Sequence, residues 1–313
     1  MAQTDATSHT RAASPNRTAL VLAFLCIYVV WGSTYLAIRF GLESIPPFML
    51  GGMRFLVAGG ALFGWARWRG APAPSRVEWR NAALIGALLL FCGNGAVSWS
   101  EQRVSSGMTS LLVASVPIWI VLCEVVMGQR PRLLKWIGVI IGLLGVGLLV
   151  MPTDGDFSHM VVDPMGALVL TGGSLTWAVG SLYARRATLP SSAALASGMQ
   201  MLVGGTMLIG LAAATGQLST FASRVADGTM LTSALLGLCY LIVFGSVLGF
   251  STYVWLVKVA SPTAVGTYAY VNPVVAVLLG MAILSEPLPK QALLATMVIV
   301  TGLVLVSLDG RRR

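Results

Sequence analysis

Charge is what this chain has least of. Asp, Glu, Lys and Arg make up only 10% of its 313 residues, against about a quarter in an ordinary soluble domain. Histidine occurs twice, as His9 and His159, and both lie outside the long apolar runs. Intramembrane serine or zinc chemistry therefore lacks its imidazole. None of the apolar runs contains an Asp, so the paired carboxylates of aspartyl or prenyl-transfer chemistry are missing too. No Gly-x-x-x-x-Gly-Lys-Ser/Thr run is present, which excludes direct drive by ATP. Cys26, Cys92, Cys123 and Cys239 all sit in apolar runs without metal-ligand spacing. They read as small, buried, reduced side chains. Neither an enzyme, nor a cofactor, nor a metal is expected.

Apolar length is what the chain has in excess. It is 56% hydrophobic, with 35 glycines. About 20 mostly apolar residues carry a helix across the hydrocarbon. Ten such runs can be marked, at about 19–38, 47–66, 81–100, 105–127, 133–151, 166–184, 195–214, 231–254, 263–285 and 290–308. The expected fold is an all-α membrane protein of ten transmembrane helices.

The net charge of +9 invites a nucleic-acid reading, and its distribution removes the need for one. With the N-terminus inside, fifteen of the twenty basic residues fall in cytoplasmic segments, among them Arg67, Arg69, Arg76, Arg80, Arg130, Arg132, Lys135, Arg185 and Arg186. The outer segments hold Arg39, Arg103, Arg224 and Lys290. This is the positive-inside pattern, and it puts both termini in the cytoplasm.

The chain also repeats itself. Gly52, Met53, Leu56, Val57, Gly59, Leu62 and Gly64 return at one constant shift as Gly198, Met199, Leu202, Val203, Gly205, Leu208 and Gly210. The same shift carries Trp31 onto Trp177. At a slightly larger shift Ser105 falls on Ser261, Pro117 on Pro273 and Pro131 on Pro287. Five spans being an odd number, the second copy must be inverted relative to the first. The expected organisation is a tail at 1–18, a first repeat at 19–151, an outer linker at 152–165, a second repeat at 166–308 and a basic tail at 309–313.

The run Lys258-Val-Ala-Ser-Pro-Thr-Ala-Val-Gly-Thr-Tyr-Ala-Tyr-Val-Asn-Pro, continuing to Leu284-Ser-Glu-Pro, resembles the ninth helix of the EamA family within the drug/metabolite transporter superfamily. Trp31-Gly-Ser and Arg54-Phe-Leu-Val-Ala resemble its first and second helices. The resemblance covers about residues 19–308. It implies a ten-helix bacterial inner-membrane carrier of amino acids or other small metabolites, commonly an exporter. Two departures stand out. Glu286 follows a serine where the family often has Gly-Glu, and Gln129-Arg130 stands at the matching place in the first copy. Arg54 has Gln200 as its repeat mate.

Several residues are expensive enough in lipid to be candidate sites. Arg54, well inside a span, costs about 2.5–3.5 kcal/mol to insert; it serves either as a structural brace, paired with Glu101, or as a contact for an anionic solute. Glu124 is the acid inside a span, so it is a proton-coupling candidate, set against an ion pair with nearby basic residues. Trp31, Trp119 and Trp177 lie near mid-membrane, where lipid cannot satisfy an indole N–H. They should face the interior, with Tyr35, Tyr240 and Tyr270, either as packing or as an aromatic-walled cavity. Asn94 and Asn272 carry mid-span amides that suit a pathway lining or an interhelical hydrogen bond. Pro117 and Pro273 are candidate kinks. Gly138-x-x-x-Gly142 marks a close helix contact, within the chain or at a dimer seam. Asp154, Asp156, His159 and Asp163 read as an acidic outer loop and not as a metal site. The leading function is a secondary transporter working by alternating access on a small-molecule substrate, as a monomer or dimer surrounded by lipid. A lipid flippase or channel shares the scaffold.

Overall fold

The computed structural model describes residues 17–150, 162–260, 262–286 and 290–310. Helix is the regular structure found among them, as lipid requires of a backbone that must satisfy its own polar groups. In order these are α1 (Arg17–Leu42), α2 (Pro47–Trp68), α3 (Arg76–Ser100), α4 (Ser106–Val126), α5 (Leu133–Val150), α6 (Pro164–Ala184) and α7 (Ala193–Ala214). A short α8 (Gln217–Ala226) precedes α9 (Thr232–Val259), α10 (Tyr268–Leu284) and α11 (Lys290–Gly310). Seven of them, α1 to α4, α6, α7 and α9, are long and apolar enough to cross a bilayer. Three of the others contain shorter apolar stretches, Leu133–Leu148 in α5, Val271–Leu284 in α10 and Leu293–Gly302 in α11. The chain is an all-α membrane protein.

Local sequence sets the helix starts. Pro47 and Pro164 occupy first-turn positions, where a missing N–H costs nothing. Ser75 and Glu78 form a reciprocal capping box that opens α3. Ser105, Asp163 and Ser192 accept from backbone N–H groups at the starts of α4, α6 and α7.

Three departures from regular winding matter. The middle of α3 (Gly86–Asn94) and of α9 (Leu241–Phe250) is wound as π-helix, a form that concentrates at functional sites. α4 is interrupted between Val113 and Val116, and Pro117 sits in the first turn of its second piece. Pro273, by contrast, lies inside the continuous α10.

α8 occupies part of a stretch that the sequence presents only as a link, because ten residues with polar positions make no span-length run. It straps the α1–α2 turn. The Arg224 guanidinium donates to the Ser44 carbonyl at 2.7 Å, and the Phe48 N–H donates to Gln217 Oε1 at 3.0 Å.

Repeat mates pack on each other. α2 lies along α7, and α5 along α11. A Cβ at Gly59 would stand 2.8 Å from Met201 Cβ and 2.9 Å from Leu202 N. Its mate Gly205 faces the mates of those residues, Phe55 Cβ at 3.1 Å and Leu56 N at 3.0 Å. Gly138 and Gly142 are covered within the chain: a Cβ on Gly302 of α11 would lie 2.5 Å from Gly142 N and 2.6 Å from Gly138 O. The remaining contacts follow the same exchange, α1 with α9 and α10, α6 with α3 and α4. Leucines such as Leu22, Leu168 and Leu236 are left exposed on the perimeter, where lipid would meet them.

Candidate functional site

The two π-wound segments face a cavity at the centre of the bundle, enclosed by α1, α2, α3, α4, α6, α9 and α10, with about 710 Å³ of empty space counting its mouth. Glycine is required where the helices meet its tryptophans. A Cβ on Gly93 would come within 2.9 Å of the Trp177 ring, and one on Gly249 within 2.6 Å of Trp31 Nε1. Trp31 and Trp177 are repeat mates, and each is received by a glycine of the π segment from the other half.

An aromatic cluster forms one wall. The Trp31 ring stands edge-on to Trp177 at 5.8 Å and to Tyr268 at 5.4 Å, and lies 5.0 Å from Tyr253. The Trp31 N–H donates to the Gly245 carbonyl at 3.4 Å. Ser174 Oγ, buried in the wall, has no hydrogen-bond partner among the described residues, and Trp177 Nε1 has only the hydroxyls of Tyr253 and Tyr268 beside it, outside normal geometry. Buried polar atoms without partners are costly, and a polar solute in the cavity would satisfy them.

Arg54 lines the same cavity and is only 5% exposed. Its Nε donates to Ser246 Oγ of the second π segment at 3.2 Å, and its guanidinium lies 4.4 Å over the Phe55 ring. The guanidinium is thus a fixed cation with donors directed at a largely apolar hollow.

The ends of the bundle differ. At one, the Glu286 carboxylate beyond α10 accepts from Ser106 Oγ (2.7 Å), Ser106 N (3.0 Å) and Gly107 N (3.3 Å), so it caps α4 and ties it to α10. Glu101 is fully buried nearby, and Arg39 Nη1 donates to its backbone carbonyl at 2.6 Å. Towards the other end lie two further voids. A second void of about 490 Å³ shares Val116 and Tyr268 with the central cavity. A third, of about 770 Å³ counting open solvent, shares Leu182 and Arg185 with the second and is lined by Glu124, Gln129 and Arg186.

Of the residues expected at a site, the structure brings Trp31, Tyr35, Arg54, Asn94, Trp177 and Asn272 together around the cavity. The Asn272 amide, in the orientation that satisfies its neighbours, donates to the carbonyls of Tyr28 (3.1 Å) and Tyr268 (3.2 Å) and so also joins α1 to α10. Trp119 and Tyr240 do not line it. Trp119 Nε1 is buried without a partner among the described residues, and the Tyr240 hydroxyl bonds Ser33 Oγ at 2.7 Å. Glu124 forms an ion pair with Lys135 at 3.5 Å. The Tyr270 side chain, and Asp154, Asp156 and His159, lie outside the described residues; Asp163 caps α6. The four cysteines are not buried as expected: Cys26, Cys92 and Cys123 are half-buried and Cys239 is exposed. Sequence reasoning missed Tyr253 and Tyr268. π winding in α9 and the turn before α10 change the phase of both helices, so an unbroken α periodicity picks the wrong faces. The five rings between 250 and 270 (Phe250, Tyr253, Trp255, Tyr268 and Tyr270) were the signal that could have found them.

A polytopic helical membrane protein with a largely apolar hollow, carrying a few polar groups, between two related halves is the class this arrangement defines. The model of the EamA-like transporter family matches residues 18–151 and again 164–308. The chain belongs to that family. It is 40% identical over 287 residues to the Escherichia coli (strain K12) protein described as the uncharacterized inner membrane transporter YedA, covering 91% of this chain and 90% of that one. It is 27% identical over 300 residues to the uncharacterized transporter YvbV of Bacillus subtilis, covering 94% and 93%. A chloroplastic WAT1-related protein of Arabidopsis thaliana is 24% identical over 283 residues, covering 90% and 67%. A solved crystal structure shares the fold with a TM-score of 0.62 at 20% identity, covering 94% of this chain and 98% of that one.

Proposed function

We propose that this protein is a secondary carrier of small organic solutes in the bacterial inner membrane. Its ten membrane-spanning helices form two inverted five-helix repeats with both termini in the cytoplasm. The observation that carries the reading is the central cavity, walled by repeat mates from both halves and holding a buried guanidinium. Further support comes from the seams. α2 on α7 and α5 on α11 are self-paired mates, the relation expected of two copies about an in-plane axis, and the family model matches each half separately.

Two nearly equivalent packings of such halves expose a shared site alternately to either side. The Glu286 contacts close the end that the charge pattern assigns to the outside. Its counterpart position, Arg130, offers no carboxylate to cap the matching inner end. The voids lying between the cavity and Arg185 and Arg186 agree with an arrangement open towards the cytoplasm.

The solute class follows from the lining. Arg54 suits a carboxylate, the aromatic wall suits a flat or aliphatic body, and Ser174 and Asn94 supply hydrogen-bonding groups. Amino acids with aromatic or apolar side chains fit all three. Counterflow in proteoliposomes tests this. Vesicles preloaded with L-phenylalanine should accumulate labelled L-phenylalanine transiently, and Arg54→Gln should suppress the overshoot. A flat time course with a full panel of amino acids would overturn the reading.

A further inference from the structure

Glu101 closes α3 and is completely buried, yet neither carboxylate oxygen has a hydrogen-bond partner among the described residues. An isolated carboxylate in apolar surroundings neutralises itself by taking up a proton unless charge nearby compensates it. Here the compensation is divided. The charged groups around Glu101 are Glu286 from beyond α10, then Arg39 of α1 and, more weakly, Arg54 of α2. Tyr35 of α1 also senses it. From α6, Asp163 is occupied with capping its own helix, and the neighbouring Arg103 is stacked 4.2 Å over Trp99. Arg39 is engaged with the Glu101 backbone carbonyl. Arg54 is the cation with a second task, because its guanidinium also lines the solute cavity, which Glu101 does not reach.

We propose that Glu101 is the proton-binding residue of the carrier, and that it shares the Arg54 guanidinium with the anionic group of the solute. This rests on the reading of the cavity as a solute site. When Glu101 is a carboxylate, Arg54 shares its compensation with Arg39. When Glu101 takes a proton, the Arg54 charge is left for a carboxylate in the cavity. One proton and one anionic group then bind together, each favouring the other by the same factor. Glu124, paired with Lys135 at the opposite end, takes no part.

Infrared difference spectra of the purified protein, recorded between acidic and alkaline buffer without solute, test this apart from transport. The wild type should show a titrating protonated-carboxyl band that vanishes in Glu101→Gln and persists in Glu124→Gln. Glu101→Asp should restore a band at a shifted position, which separates proton binding from a folding defect. In Arg54→Gln the band should titrate at higher pH, since the removed cation no longer favours the carboxylate. A band that survives Glu101→Gln, or a midpoint unmoved by Arg54→Gln, would overturn the proposal. Absence of counterflow in the wild type would strike the transport reading alone.

Discussion

Arg54 contributes a cation to the middle of a largely apolar hollow, and its replacement should be felt as lost selectivity for charge. Hydrogen bonds to a charged group contribute about 1.5–3 kcal/mol, roughly 10- to 150-fold in affinity. Phenylacetate and its uncharged amide, read by quenching of the cavity tryptophans, measure this. Arg54→Gln should weaken the acid by that factor and leave the amide nearly unchanged; equal loss for both would assign Arg54 a bracing role only. Glu124 presents the opposite case. Its pair with Lys135 is partly exposed (18% and 22%), and such pairs contribute less than about 1 kcal/mol. Glu124→Gln should therefore leave both thermal stability and transport close to wild type. The sequence exposed these charges because a charged residue in an apolar run is conspicuous. It did not show which of them meet. Glu101 lies one residue beyond α3, and only folding reveals that it is sealed from water while Glu124 is not.

Helix contacts make sharper demands than the residues inside them. At the α2–α7 seam a Cβ on Gly59 would meet backbone, 2.9 Å from Leu202 N and 3.0 Å from Gly198 O, while next to it Gly60 has nothing within 4 Å. Overpacking costs about 1–3 kcal/mol even where side chains can yield, and backbone yields less. Gly59→Leu should lower the melting temperature measurably in detergent, and Gly60→Leu should not. Similar losses for both would mean that α2 and α7 are not in close contact. Glu286 makes a comparable demand at the α4–α10 junction, where it holds three donors. Glu286→Gln should loosen that end and raise the labelling of a Val104→Cys reporter, in a cysteine-free background, by an impermeant thiol reagent from outside. Element existence was legible because span-length apolar runs leave little choice. Phase was not. The π segments of α3 and α9 carry no composition that separates them from α-helix, and the one in α9 resets the phase that brings Tyr253 against Trp31 and Trp177. α8 escaped notice for a different reason, being too short and too polar to resemble a span.

Over the whole molecule, the duplication written in the sequence is the feature that the packing uses most. Mates at one shift, Gly59 with Gly205 and Trp31 with Trp177, make exchanged contacts about the centre. Residues without a matching mate, Arg54 against Gln200 and Glu286 against Arg130, are where the halves differ; Arg54 lines the hollow and Glu286 caps α4. On the proposed reading, symmetry supplies the hollow and its breaking supplies the chemistry. The claim on which this depends is that the central cavity is reached alternately from the two sides of the membrane. Asn94→Cys in a cysteine-free background, probed with an impermeant maleimide in right-side-out and inside-out vesicles, tests it most directly. The account predicts labelling from the cytoplasmic side, labelling at a lower rate from the outside, and protection from both by L-phenylalanine. Labelling from one side alone, unchanged by solute or by Glu286→Gln, would contradict it.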